Sequence, residues 1–210
     1  MGCALRGNLM RQTIVSPIRL TKVTRVALHA AGVPERYWKV SLKQMEKSSH
    51  KKKLISYLQT VHTQIDKGKG LYIYGGFETG KTSAAVAVLK EVLRRGGTVY
   101  FMRVRHLLRA VYDNEETADG LELVRNRLQK VDLLVLDDLG AEGFDAKKGG
   151  GAELEGVFRD RYDRKLPLVV TSNYAPDKLA TVYTEAIVNI IRRTVAVVNV
   201  STNQWVEGVK

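Results

Sequence analysis

Eight residues constrain this chain more than any others: Gly75-Gly76-Phe77-Glu78-Thr79-Gly80-Lys81-Thr82. They satisfy G-x-x-x-x-G-K-[ST] at every fixed position. Leu71-Tyr72-Ile73-Tyr74 reads as a short strand entering the loop, and residues 83–90 read as a helix leaving it. Such a loop turns backbone N–H groups inward, with the positive end of a helix behind them, and so makes a seat for phosphate. The expected contacts come from Gly75, Gly76, Phe77, Glu78, Thr79, Gly80, Lys81, Thr82 and Ser83. Lys81 reaches the β- and γ-phosphates and Thr82 holds the metal, which predicts ATP and Mg²⁺ as cofactors.

Two further stretches end apolar runs in polar groups. Leu133-Leu134-Val135-Leu136 is followed by Asp137-Asp138. The run reads as a strand buried on both faces, with its acids emerging at the C-terminal end, where open α/β sheets bind ligands. There Asp137 would hold Mg²⁺ with Thr82, and Asp138 would orient and deprotonate the attacking water. A turn or a helix cap is the competing reading. Val169-Val170-Thr171-Ser172-Asn173 ends in the same way. Asn173 is placed to bond the γ-phosphate or the water, against the plainer use of Ser-Asn in a turn.

Around these motifs, strand and helix patterns alternate. Residues 98–102, 131–136, 166–171 and 195–200 read as strands. Residues 20–31, 53–65, 104–112, 119–130, 154–165 and 182–193 read as helices, and 146–151 as a glycine-rich loop. In the helix over 53–65, Leu54, Ile55, Leu58, Val61 and Ile65 are assigned to one apolar face. Alternation of this kind implies a parallel sheet covered by helices on both sides.

Composition narrows the class. With 210 residues, 44% of them hydrophobic, there is enough chain for one sizeable core. No apolar run approaches the ~18 residues of a membrane span. The sole cysteine, Cys3, excludes a disulfide framework and points to a reducing cytoplasm. The net charge of +12 is uneven. Residues 1–53 hold 12 Lys or Arg against Glu35 and Glu46, a net +10. The remainder, 54–210, carries only +2 and reads as the nucleotide-binding core. A basic arm over 1–53 suits nucleic acid or an acidic protein surface; a solvated tail is the alternative.

The motifs together resemble the AAA+ ATPases of the DnaC/IstB type, the helicase loaders and transposition helpers of bacteria, phages and insertion sequences. The resemblance runs from about residue 30 to 200. It is carried by Ala31-Gly32-Val33-Pro34-Glu35-Arg36-Tyr37, by Asp137-Asp138-Leu139-Gly140-Ala141-Glu142 and by Thr171-Ser172-Asn173. It implies an AAA+ type P-loop fold, here without an evident separate lid domain. It also implies Lys81 and Thr82 as Walker A, Asp137 and Asp138 as Walker B, and Asn173 as sensor 1. Glu78 stands where the family commonly has glycine. The family's arginine finger falls in register at Asn189, with Arg192 and Arg193 one turn later, so either one of these arginines would serve a neighbouring subunit in an ATP-dependent homo-oligomer, or the trans-activation is weak. Arg103, Arg105, His106 and Arg109 lie where the family contacts single-stranded DNA, or else form a solvated helix face. Three functions follow: an ATP-driven loader of a replicative helicase, a transposition helper that binds DNA and recruits a transposase, and a nucleotide-gated adaptor with little hydrolysis.

Overall fold

The computed structural model describes residues 22–45, 48–113, 128–141 and 151–200. The irregular segment expected over 1–18, most of the helix over 119–130 and most of the loop over 146–151 lie outside those residues. So do the first residues of the helix expected over 20–31.

Strands β1 (Gly70–Tyr74), β2 (Val99–Arg103), β3 (Leu133–Leu139), β4 (Leu168–Ser172) and β5 (Val195–Asn199) form one parallel sheet. Its order is β2-β3-β4-β1-β5. All strands therefore end on the same side, and the exits of β1, β3 and β4 are brought together there. Side-chain alternation sends Leu71, Ile73, Leu133, Val135 and Val169 to one apolar layer. Tyr72, Leu134, Leu136 and Val170 go to the other. Because both faces are covered, these strands read as unbroken apolar runs rather than as alternating ones.

The first layer is completed by α1 (Arg25–Ala30), α2 (Ser49–Gln59) and α4 (Lys81–Arg94), through Leu28, Leu54, Leu58, Ala84, Val88 and Leu89. The second is completed by α5 (Val104–Asp113), α6 (Gly151–Asp163) and α7 (Glu185–Thr194), through Leu107, Phe158, Ile187 and Ile191. The helix expected over 53–65 is two helices, α2 and the short α3 (Val61–Asp66), broken at Thr60. Helix α2 buries Leu54, Tyr57 and Leu58, while Ile55 is exposed. Ile55 follows Leu54 by ~100° of helix rotation, which turns it off the buried stripe.

The boundary expected at residue 53 falls inside α2. Upstream of it, Leu28, Val33, Val40 and Met45 are buried. The Phe101 N–H donates to the Ala31 carbonyl at 2.8 Å, so this segment covers the outer edge of β2. Gly32, with φ +73, permits that approach: a Cβ there would lie 2.6 Å from the Phe101 carbonyl oxygen. Lys90 of α4 donates to the Trp38 and Val40 carbonyls, both at 2.6 Å. Among the described residues, no helix is long and apolar enough to cross a membrane.

Candidate nucleotide site

The phosphate-loop sequence lies between β1 and α4, as its flanking patterns predict. Gly75 passes so close to the end of β5 that a Cβ would sit 1.9 Å from the Val200 carbonyl oxygen. Gly80, at φ +87, reverses the chain into α4, so Lys81, Thr82 and Ser83 open the helix with backbone N–H groups that no earlier turn can use. Glu78 has φ +58, the left-handed conformation that glycine adopts without strain. An L side chain there costs about 1–2 kcal/mol, a strain that the glycine expected from the family resemblance would relieve. Thr79 Oγ1 donates to the Gly76 carbonyl at 3.0 Å, and Lys81 Nζ to the same oxygen at 2.5 Å. Phe77 is 83% exposed at the loop's tip. Burial lowers the Lys81 pKa, opposed by the charges of Asp138 and Asp137.

Asp137 is fully buried. Its Oδ1 accepts from Thr82 Oγ1 at 2.9 Å and from Thr171 Oγ1 at 2.7 Å. Its Oδ2 is buried with no hydrogen-bond partner among the described residues. A buried carboxylate oxygen left open beside a threonine hydroxyl is the donor set a hard divalent cation takes, so these residues fit Mg²⁺. Both acids belong to β3, but they do not alternate regularly. The register of β3 on β4 shifts between Leu136 and Leu139, and Asp138 has φ +62. This bulge explains how neighbouring residues both serve one site. The Asp138 N–H leaves the ladder and donates to Thr171 Oγ1 at 2.9 Å. Thr171 thus touches both acids, a role its apolar strand context did not reveal.

Burial and the neighbouring Asp138 push the Asp137 carboxyl up to about 6, against Thr171, Thr82 and Arg103, which pull it down. A carboxyl raised in the folded state costs stability as pH rises, since the unfolded chain releases its proton first, near 3.8. The loss accumulates between about 3.8 and about 6 and persists above that window. Asp137→Asn keeps an oxygen for both threonines and removes the penalty. Without nucleotide at pH 7.5 this variant is expected to melt roughly 2–6 °C above the native chain. The gap should close towards pH 4 in a melting series read by circular dichroism. A gap that widens on acidification would contradict the assignment.

The other expected residues are distributed as follows. Asn173 is half-buried directly beyond β4, whose Ser172 pairs with Tyr74 at the loop entrance. Arg103 ends β2 in register with Asp137 and faces the acid pair. Arg105, His106 and Arg109 are exposed on α5, with Arg105 donating to the Ala141 carbonyl at 3.2 Å. Glu142 lies outside the described residues. Arg192 and Arg193 are exposed in the last turn of α7, on the face that also presents Asn189. That turn leads straight into β5, so it lies at the start of the strands, the opposite end of the sheet from Lys81 and Asp137. Five residues of strand separate the two ends by roughly 16 Å, so neither arginine lies at the nucleotide site of its own chain.

The sequence profile of the IstB-like ATP binding protein family matches residues 16–203. The chain belongs to this family. The replicative helicase loader DnaI of Bacillus subtilis is 32% identical over 119 residues, 56% of this chain and 37% of that protein. An ATP-binding protein in an insertion sequence of Mycobacterium tuberculosis is 28% identical over 113 residues, 54% of this chain and 44% of that protein. This IstB-like chain therefore spans less than half the length of either relative. Among solved structures, the DnaC helicase loader superposes with a TM-score of 0.68 at 26% identity, covering 79% of this chain and 99% of that one. The replication initiator DnaA bound to AMPPCP and single-stranded DNA shares the fold, with a TM-score of 0.65 at 21% identity, over 77% of this chain and 50% of that one. The fold is the AAA+ P-loop fold, and the family binds ATP.

Proposed function

We propose that this chain is an ATPase that delivers or remodels a replicative DNA helicase on single-stranded DNA in the cytoplasm. The observation that carries the reading is the meeting of Lys81, Thr82, Asp137 and Asn173 at the strand exits of a fold shared with the DnaC loader. The loop N–H groups and Lys81 would seat the phosphates. Thr82 and Asp137 would hold Mg²⁺, which supplies charge neutralisation when bound. Asp138 takes a proton from a water that Asn173 orients, and Arg192 or Arg193 reaches the site of the next subunit. DNA phosphates would lie along Arg105 and Arg109, and the basic N-terminal segment would meet the helicase. The second reading, a transposition helper that recruits a transposase, is favoured by the insertion-sequence relative and by the family itself.

Two measurements test this. If an arginine acts in trans, ATP turnover per subunit is expected to rise with protein concentration, and Arg192→Ala with Arg193→Ala to flatten the rise by ~10³ at saturation. A constant specific activity, with no ATP-dependent oligomer by light scattering, rejects the trans arginine. Co-sedimentation with purified helicase and with purified transposase, each with and without DNA, separates the two partners. Capture of transposase alone overturns the loader reading.

A further inference from the structure

The guanidinium of Arg103, whose side chain is 27% exposed, faces the acid pair. Its Nε lies 3.9 Å from Asp137 Oδ2 and 4.0 Å from Asp138 Oδ2. These separations are too long for hydrogen bonds. Arg103 Nε and Asp137 Oδ2 are both buried without hydrogen-bond partners among the described residues. Opposite charges thus face one another across a gap that neither fills. The gap is held from both sides. Arg103 and Asp137 are register partners on adjacent strands. Two residues on, Arg105 donates to the Ala141 carbonyl, while the Ala141 N–H donates to the Asp138 carbonyl at 3.1 Å. The junction of β2 and α5 therefore grips the strand end that carries both acids.

A divalent cation seated by Thr82 and Asp137 would bring two positive charges to the oxygen that Arg103 faces. Two cations cannot both sit close to one carboxylate oxygen without repulsion, which is least screened where the groups are buried. We propose that Arg103 is a positioning residue, a resident counter-cation that balances Asp137 and Asp138 and competes with the divalent metal for them. Asp137 stays compatible with burial in the free protein because Arg103 faces it, the Asp138 side chain being 38% exposed, and metal binding must push the guanidinium back. This rests on the reading of Thr82 and Asp137 as the metal site.

The test is a Mg²⁺ titration of fluorescent ATP-analogue binding by the full chain, at fixed ionic strength, for the native protein, Arg103→Gln and Arg103→Lys. Arg103→Gln is expected to lower the Mg²⁺ concentration at half-maximal binding by about threefold to tenfold. Arg103→Lys restores the charge and should return the midpoint towards the native value. Melting temperatures of the three proteins in EDTA report any purely structural loss. A midpoint unmoved or raised in Arg103→Gln overturns the proposal, whatever the melting temperature. Native binding that is indifferent to Mg²⁺ overturns instead the metal-site reading beneath it.

Discussion

Replacing Lys81 with alanine is expected to weaken ATP binding by roughly 10²–10³-fold, because a charge-assisted contact to two phosphates is lost from a water-poor site. Lys81 is buried, and its ammonium lies over the loop at 2.5 Å from the Gly76 carbonyl oxygen. Alanine is a good helix former at the start of α4, so the fold should survive. Asp138→Asn is the contrasting change. It sits outside the phosphate loop, so the nucleotide should still bind, but asparagine cannot accept the water's proton, and turnover should fall by ~10²–10⁴. Isothermal binding of an ATP analogue and phosphate release, measured on the same preparations, separate the two outcomes. Loss of binding in Asp138→Asn, or retained turnover, would remove it from the role of base.

The largest expected effect on stability comes from the other end of the sheet. Arg161 of α6 is fully buried. Its guanidinium donates to the Leu128 carbonyl, to the Val131 carbonyl at 3.1 Å and to the Pro167 carbonyl at 2.9 Å. Burial pulls its pKa down to about 9, partly offset by Asp132, so it remains charged at neutral pH. It staples the end of α6 to the chain entering β3 and β4. Arg161→Leu would take the guanidinium from all three carbonyls, leaving Pro167 only the Leu134 N–H at 3.4 Å, at a cost of about 3–5 kcal/mol. Arg161→Lys would do little better, since one ammonium cannot span a planar fork's targets. Urea unfolding should show the midpoint falling in both variants, while the folded fraction binds nucleotide with native affinity. A midpoint within error of the native one would mean the three carbonyls find other donors.

These two sites differ in how far sequence alone reveals them. The loop from Gly75 to Thr82 could be read directly, because its geometry depends on glycines and a helix start that are local in the chain. The strands were legible for a similar reason: burial on both faces leaves unbroken apolar runs such as Leu133 to Leu136. The acids after that run and Asn173 were legible as strand exits. Arg161, by contrast, looks like any other cation on a polar helix surface. Only the packing of α6 over the starts of two strands turns it inward.

What the sequence by itself determined is therefore the class of fold and the chemical groups at the strand ends, since short-range periodicity encodes which faces are buried. Tertiary structure decided the strand order, which brings β1 beside β4 and β3 and so assembles a site from segments far apart in the chain. It decided that a bulge lets Asp137 and Asp138 share one site, and that Thr171 ties them together. It also decided that Arg103 faces those acids while Arg105, two residues later, is exposed. A cation's partner depends on which strands become neighbours, and that is a long-range property no local pattern carries.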